Sequence, residues 1–280
     1  MLAKSQKKLT DHFKRGAGKV RAKLAARIIE RRREAWAIIF DKSKYPDENH
    51  DAVGQPLVDA AVKKLYRSYD DPLGDLAADD PEVQELLARV TEAAGWLREF
   101  GGKGPKDAAL LAALTAEVSE LVGMRRFPVS ADDAKVLEKS QRILEYNRAV
   151  QTSLSPEERA CVDATNEYRM LFGLPALKAF EPLVQAARKH SAEMNRLKYF
   201  DHNSPTPANR SPDMRCAREG ARFSGENIAM GMTTGRAAFH AWYTSSGHHR
   251  NILGKGHRSI GIGQDGKYWT QNFGSDGPSP

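Results

Sequence analysis

Strand-like alternation is confined to the end of this chain, and helical patterning fills what precedes it. Ser259-Ile260-Gly261-Ile262-Gly263 and Tyr268-Trp269-Thr270-Gln271-Asn272-Phe273 alternate on either side of Gln264-Asp265-Gly266-Lys267. An Asp-Gly turn between two alternating runs is a strong hairpin signal, because the tight turn needs positive φ. Upstream, helix starts recur. Periodic Phe13, Val20, Leu24, Ile28 and Trp36 predict a helix over about 9–40. Pro56 to Tyr69 reads as a second helix, and Asp80-Pro81 opens a third that runs to Phe100. Pro105 opens a helix to about 122, and Ser130 caps one over about 131–151. Helices first and strands last predict an α+β chain, an all-α region followed by a layered domain.

The clearest boundary is Ser155-Pro156-Glu157-Glu158, a capping box with proline at the first helical position. It places a helical region over 1–152, with a basic arm over 1–40, and a second domain over 155–276. The second domain opens with helices to about Leu171 and from Pro182 to about Lys198. Loops rich in Asn, Ser, Pro and Gly follow, then a helix over about 235–246. The net charge of +7 is local. Residues 1–40 hold 12 Lys or Arg against three acids, or +9, so the remaining chain carries −2. A basic amphipathic helix of this kind can lie on a membrane surface or a partner, or it can pack its apolar stripe on neighbouring helices. The second reading is preferred, and nothing points to a specific nucleic-acid site. Residues 41–150 hold no catalytic constellation; Asp70, Asp71, Asp79 and Asp80 read as turn and cap residues.

No run approaches the ~18 apolar residues of a membrane-spanning helix. The basic N-terminus is followed by no apolar h-region and no cleavage site, which is read as a cytoplasmic chain or an exported one whose leader has been removed. Two cysteines exclude a disulfide-dense scaffold and a four-cysteine zinc module. Cys161 and Cys216 are read as separate thiols, with a disulfide between them the alternative for an exported chain.

Six of the eight histidines lie within residues 190–257, and this clustering is the main chemical signal. His190 falls on the apolar stripe Leu183, Ala187, Met194 and Leu197, so a core position is expected. His240 is read as structural and His257 as exposed. His202, His248 and Glu226 remain. Two imidazoles and a carboxylate, if they converge, suit a zinc site with open positions, although no pair sits at i, i+4.

The segments "NEYRMLFGLPAL", "AARKHSAEMNRLKYFDHNSP", "GENIAMG", "AWYTSSGHHRNIL" and "IGIGQDGKYWTQNFG" occur in that order. Together they resemble the CAP superfamily (SCP domain), in its bacterial form without the extra disulfides, over about 160–275. The resemblance implies an α/β/α sandwich around an antiparallel sheet, and a secreted, periplasmic or envelope location. It also implies a central cleft that binds zinc or another divalent cation in several members. Carried over motif by motif, the cleft residues are His202 in "FDHNSP", Glu226 in "GENIA" and His248 in "SSGHHRNIL". Asn227 is expected to orient Glu226 or line the cleft, and His249 to point elsewhere. Ser246 stands where some relatives have a second acid, which implies weaker cation binding, and Ser246→Glu is expected to strengthen it.

Three functions follow. The first is an extracytoplasmic module binding a divalent cation, a lipid or another small envelope ligand. The second is a metal-dependent hydrolase in which Glu226 binds the metal or acts as base. The third is an interaction protein led by the basic helix. The first is preferred: no G-x-S-x-G elbow and no paired Cys-His signature appears.

Overall fold

The computed structural model describes residues 2–47, 54–100, 128–150 and 152–277. The helix expected over 105–122 and the Phe13 side chain lie outside what is described. The chain forms two compact units, residues 1–35 with 59–131 and residues 36–58 with 132–280.

In the first unit, α1 (Leu2–Phe40) contributes its residues up to Ala35. It is joined by α2 (Gln55–Asp70) from Asp59, α3 (Pro72–Ala77) and α4 (Pro81–Phe100). Of the expected stripe, Val20, Leu24 and Ile28 are buried, whereas Trp36 is half-buried and belongs to the second unit. The basic arm meets acids within the unit. Lys23 pairs with Asp80 at 2.7 Å, Arg27 with Asp79 at 2.6 Å and Arg31 with Asp75 at 2.6 Å. Asp75 is itself buried and accepts from Ser68 Oγ at 3.1 Å. Asp71 caps α3 through the Gly74 amide, and Asp80 caps α4 through the Val83 amide at 3.2 Å. The loop acids therefore act as caps and as counter-charges to the arm. Among the described residues no helix is long and apolar enough to cross a membrane.

The second unit contains α5 (Ala131–Ala149), α6 (Pro156–Leu171), β1 (Lys178–Ala179), α7 (Glu181–Leu197), α8 (Pro212–Arg218), β2 (Phe223–Met230), α9 (Gly235–Tyr243), α10 (Ser246–Ile252), β3 (Ser259–Asp265) and β4 (Tyr268–Gly274). The capping box forms as expected: Ser155 Oγ accepts from Glu158 N, and Glu158 Oε2 accepts from Ser155 N at 2.7 Å. The hairpin also forms, with Asp265 opposite Tyr268 and Gly266 at φ 57. The helix expected over 235–246 is α9, which ends at Tyr243, and a separate short helix, α10, carries His248 in its first turn.

The sheet has the order β1-β3-β4-β2. It is antiparallel except at one edge, where β1 pairs parallel with β3. Helices cover both faces. On one face, Gly261 and Gly263 let α7 approach backbone to backbone: a Cβ on either would lie within 2.2 Å of an α7 main-chain atom. Ser191 of α7 bonds Thr270 on this face at 2.9 Å. On the other face, Thr165 of α6 accepts from Gln271 Nε2 at 3.0 Å. Trp242, Trp269 and Phe273 are fully buried. This is an α/β/α sandwich preceded by a helical region.

Asn147 of α5 fastens this extra helix to the edge strand. Its Nδ2 donates to Leu177 O at 3.0 Å and its Oδ1 accepts from Ala179 N at 2.9 Å. Both cysteines are free and buried, in α6 and α8. Burial pushes both thiols up, Cys216 to about 12.

Candidate functional site

The site forms at the β2 edge of the sheet, where both helical layers meet it. Successive strand residues point to opposite faces, and Glu226 and Asn227 divide in that way. Glu226 turns toward the α7–α8 side. Its Oε2 accepts from Arg215 of α8 at 2.7 Å, with the two side chains 1% and 4% exposed. Asn272, with its amide turned so that both ends are satisfied, also donates to Glu226 Oε2, at 3.0 Å. Asn227 turns toward α10. It donates to Gln271 Oε1 at 2.8 Å and to His248 O at 3.3 Å, and it accepts from Asn251 Nδ2 at 2.8 Å. Asn227 thus fixes the loop and helix that carry His248.

Two stops in the chain place His202. Helix α7 ends at Lys198 in the left-handed region, φ 57, and Asp201 Oδ1 accepts from Asn203 N at 2.7 Å to turn the loop. His202 Nδ1 then lies 2.9 Å from Glu226 Oε1. A carboxylate only accepts, so Nδ1 carries the hydrogen, and in the neutral ring the lone pair lies on Nε2. The imidazole is 45% exposed and its centroid is 6.5 Å from that of His248. The structure therefore brings His202, Glu226 and His248 together across 46 residues of sequence. The rings are inside the ~8 Å beyond which a shared zinc, about 2.0–2.1 Å from a nitrogen of each, is excluded. Glu226 is differently placed. Both of its oxygens already have donors, so it stands behind His202 as an orienting carboxylate. Among the described residues no group of three or more His, Cys, Asp or Glu is arranged to hold a metal ion.

Ser246 does not face this cleft. It is 1% exposed, and its hydroxyl donates to Pro46 O at 2.6 Å. Residues 36–47 strap the outer side of α10. The Tyr45 ring meets His249 edge-on at 5.9 Å, and Arg250 pairs with Asp47 at 2.9 Å and with Tyr45 O. Sequence reasoning missed this strap, since nothing in its pattern ties 36–47 to the second unit. The expected effect of Ser246→Glu is reversed by it. A glutamate there would be buried against a carbonyl, and should cost about 1–3 kcal/mol in urea unfolding rather than strengthen a cation site.

The remaining histidines sort by packing. His190 is buried, with Nε2 3.1 Å from Asp201 O, as expected of a core residue. His249 is buried and bonded to the Tyr168 hydroxyl at 2.7 Å. His240 is exposed on α9. His257, expected at the surface, is 5% exposed. It stacks on Phe273 at 4.3 Å, and Asn251 O and Ser224 Oγ engage its two nitrogens. Arg215 was also missed. A buried Glu226 needs a cation, but no spacing singles out Arg215 from Arg210 or Arg218 in the same loop-rich stretch.

Residues 162–273 match the model of CAP, the cysteine-rich secretory protein family. This stretch of the chain is similar to the CAP family. The match begins within α6, so α1 to α5 precede the CAP domain. YkwD of Bacillus subtilis (strain 168) is 38% identical over 124 residues, 44% of this chain and 48% of that protein. The membrane protein YlbC of the same organism is 34% identical over 116 residues, 41% of this chain and 34% of that protein. The chain thus spans about half the length of the first curated relative and about a third of the second. An extracellular SCP-domain protein from Bacillus anthracis str. Ames is 32% identical, covering 47% of this chain and 48% of that one, at a TM-score of 0.40. An outer surface protein from Borrelia burgdorferi is 16% identical, covering 45% of this chain and 95% of that one, at a TM-score of 0.38.

Proposed function

We propose that the CAP domain is an extracytoplasmic binding module whose cleft takes a divalent cation such as zinc through His202 and His248. The observation that carries this is the Glu226–His202 contact of 2.9 Å, which in the neutral, exposed ring puts the lone pair on Nε2 beside a second imidazole. Carboxylate–histidine pairs orient metal-binding imidazoles and raise their basicity. His202 Nε2 and a ring nitrogen of His248 would hold the ion, which would supply a Lewis-acidic centre for a polar ligand group. Glu226 would fix the tautomer, and Arg215 would hold Glu226 in place. Two protein ligands without a carboxylate make this a weak site. The family's secretory character supports a location outside the cytoplasm.

Calorimetry with zinc chloride at neutral pH tests the reading. His202→Ala and His248→Ala should each abolish binding, and Glu226→Gln should weaken it about 10–100-fold. Absence of zinc binding by the wild type, or binding indifferent to both histidine variants, would overturn it. The same His202–Glu226 pair is what a general base requires, which favours the hydrolase as the second reading. Turnover of a peptide or ester library, lost in Glu226→Gln, would establish that reading in place of a binding module.

A further inference from the structure

On the cation-binding reading above, we propose that residues 41–47 position His248 by holding the outer face of α10, so that closure of this strap and cation binding in the cleft favour one another. Helix α10 has only seven residues, and a helix that short takes its placement from what grips it. Residues three and four apart share a helix face. Ser246, His249 and Arg250 stand in that relation, and the strap meets all three. Ser246 Oγ donates to Pro46 O at 2.6 Å. The Tyr45 ring lies edge-on to His249 at 5.9 Å and under the Arg250 guanidinium at 5.4 Å. Arg250 also donates to Asp47 Oδ1 at 2.9 Å and to Tyr45 O. Tyr45 is buried, and its hydroxyl donates to Tyr243 O at 3.3 Å, at the end of α9.

His248 falls on the opposite face. At about 100° per residue it points about 200° from Ser246, so the helix that the strap holds from outside presents His248 to the cleft. The inner side is held by amides. Asn251 Nδ2 donates to Asn227 Oδ1 at 2.8 Å and to Glu226 O at 3.1 Å, and Asn227 donates to His248 O at 3.3 Å. His202 is held independently, through Glu226 at 2.9 Å. The strap therefore acts on one of the two imidazoles. A zinc needs a nitrogen of each at about 2.0–2.1 Å, so a small shift of α10 separates a productive pair from an unproductive one.

The strap is lightly held. Within residues 41–47 only Tyr45 is buried. Nδ1 of His249 and Nε of Arg250, on the face it covers, are buried without a hydrogen-bond partner among the described residues. Unsatisfied buried groups offset the bonds that closure makes, and few buried contacts mark a segment that opens locally. Coupling is reciprocal: the factor by which the closed strap raises cation affinity is the factor by which the cation favours closure. The strap precedes residues 162–273, so this control belongs to this chain's addition and not to the stretch that matches the CAP family.

The test is calorimetry of the full chain with zinc chloride at neutral pH, beside amide hydrogen exchange with and without saturating zinc. Tyr45→Ala should weaken zinc binding at least about fivefold. Tyr45→Phe, which keeps the ring against His249 and Arg250, should recover most of that affinity. In the wild type, zinc should slow exchange of the Lys44 and Tyr45 amides, both bonded to Asp41 O, by a similar factor. In His202→Ala it should not. A merely structural strap would lose stability in Tyr45→Ala with zinc affinity intact. The exchange arm uses the wild-type chain, and it decides the matter should Tyr45→Ala fail to fold. Wild-type zinc binding with affinity unchanged in Tyr45→Ala, or with strap exchange that zinc does not slow, would overturn this proposal alone. No zinc binding by the wild type would overturn the cation reading and this proposal with it.

Discussion

Lowering the pH from about 7.5 to about 4.5 should remove about 5 kcal/mol of stability from the CAP unit through His249 and His257 alone. Burial first, and Arg250 second, lower His249 to about 3. Its surroundings are the rings of Tyr45, Tyr168 and Tyr243, which offer no counter-charge. Burial first, and Arg169 second, lower His257 to about 4. In the unfolded chain both rings take up a proton near pH 6.5. Between that value and the folded ones the unfolded state therefore binds more protons. Stability is complete above about pH 6.5 and is lost as the pH falls toward 4, at about 2–3 kcal/mol per ring by about pH 4.5. His190, lowered to about 4 chiefly by burial, acts in the same direction. The carboxylate of Glu158, held low against its burial by Arg188 and two amides, loses its contribution only below this window. Since domains are stable by about 5–15 kcal/mol, urea unfolding should show a collapse of the midpoint between about pH 6 and 4.5. A flat profile there would mean that the buried rings are hydrated or paired in ways the packing does not show.

Removing Arg215 should be the most damaging single change near the cleft. Glu226 and Arg215 are both almost fully withdrawn from water and joined at 2.7 Å. Breaking a buried pair from one side leaves an uncompensated charge, at about 3–5 kcal/mol. Arg215→Ala is expected to lose that much in urea unfolding. Adding Glu226→Gln should restore part of it, because the charge left behind is then gone. Loss of less than about 1 kcal/mol in Arg215→Ala would mean that Asn272 and His202 hold Glu226 without the guanidinium.

What was legible in the sequence follows from how local each feature is. The capping box at Ser155, the helix starts at Pro81 and Pro156 and the Asp265-Gly266 turn are set by neighbouring residues, and they form where expected. The CAP motifs located His202, Glu226 and His248 because each is a short, ordered string. Features that depend on distant partners were not legible. Ser246 reads as a cleft residue by its neighbours, yet Pro46, 200 positions earlier, takes its hydroxyl. His257 follows a glycine in a loop and reads as exposed, but Phe273 and Ser224 enclose it. Strand β2 has no strand signal in its sequence, because Ser224, Glu226 and Asn227 are polar where a strand core is expected. Glu226 and Asn227 find their partners in Arg215, Asn251 and Gln271, which no local pattern shows.

The arrangement of the cleft is tested most directly by anomalous diffraction at the zinc edge, on crystals of the full chain grown with zinc chloride. One peak is expected about 2.0–2.1 Å from His202 Nε2 and from a ring nitrogen of His248, with Glu226 still joined to His202 Nδ1 and to Arg215. An empty cleft at saturating zinc, or a zinc bound directly by a Glu226 that has left Arg215, would contradict it.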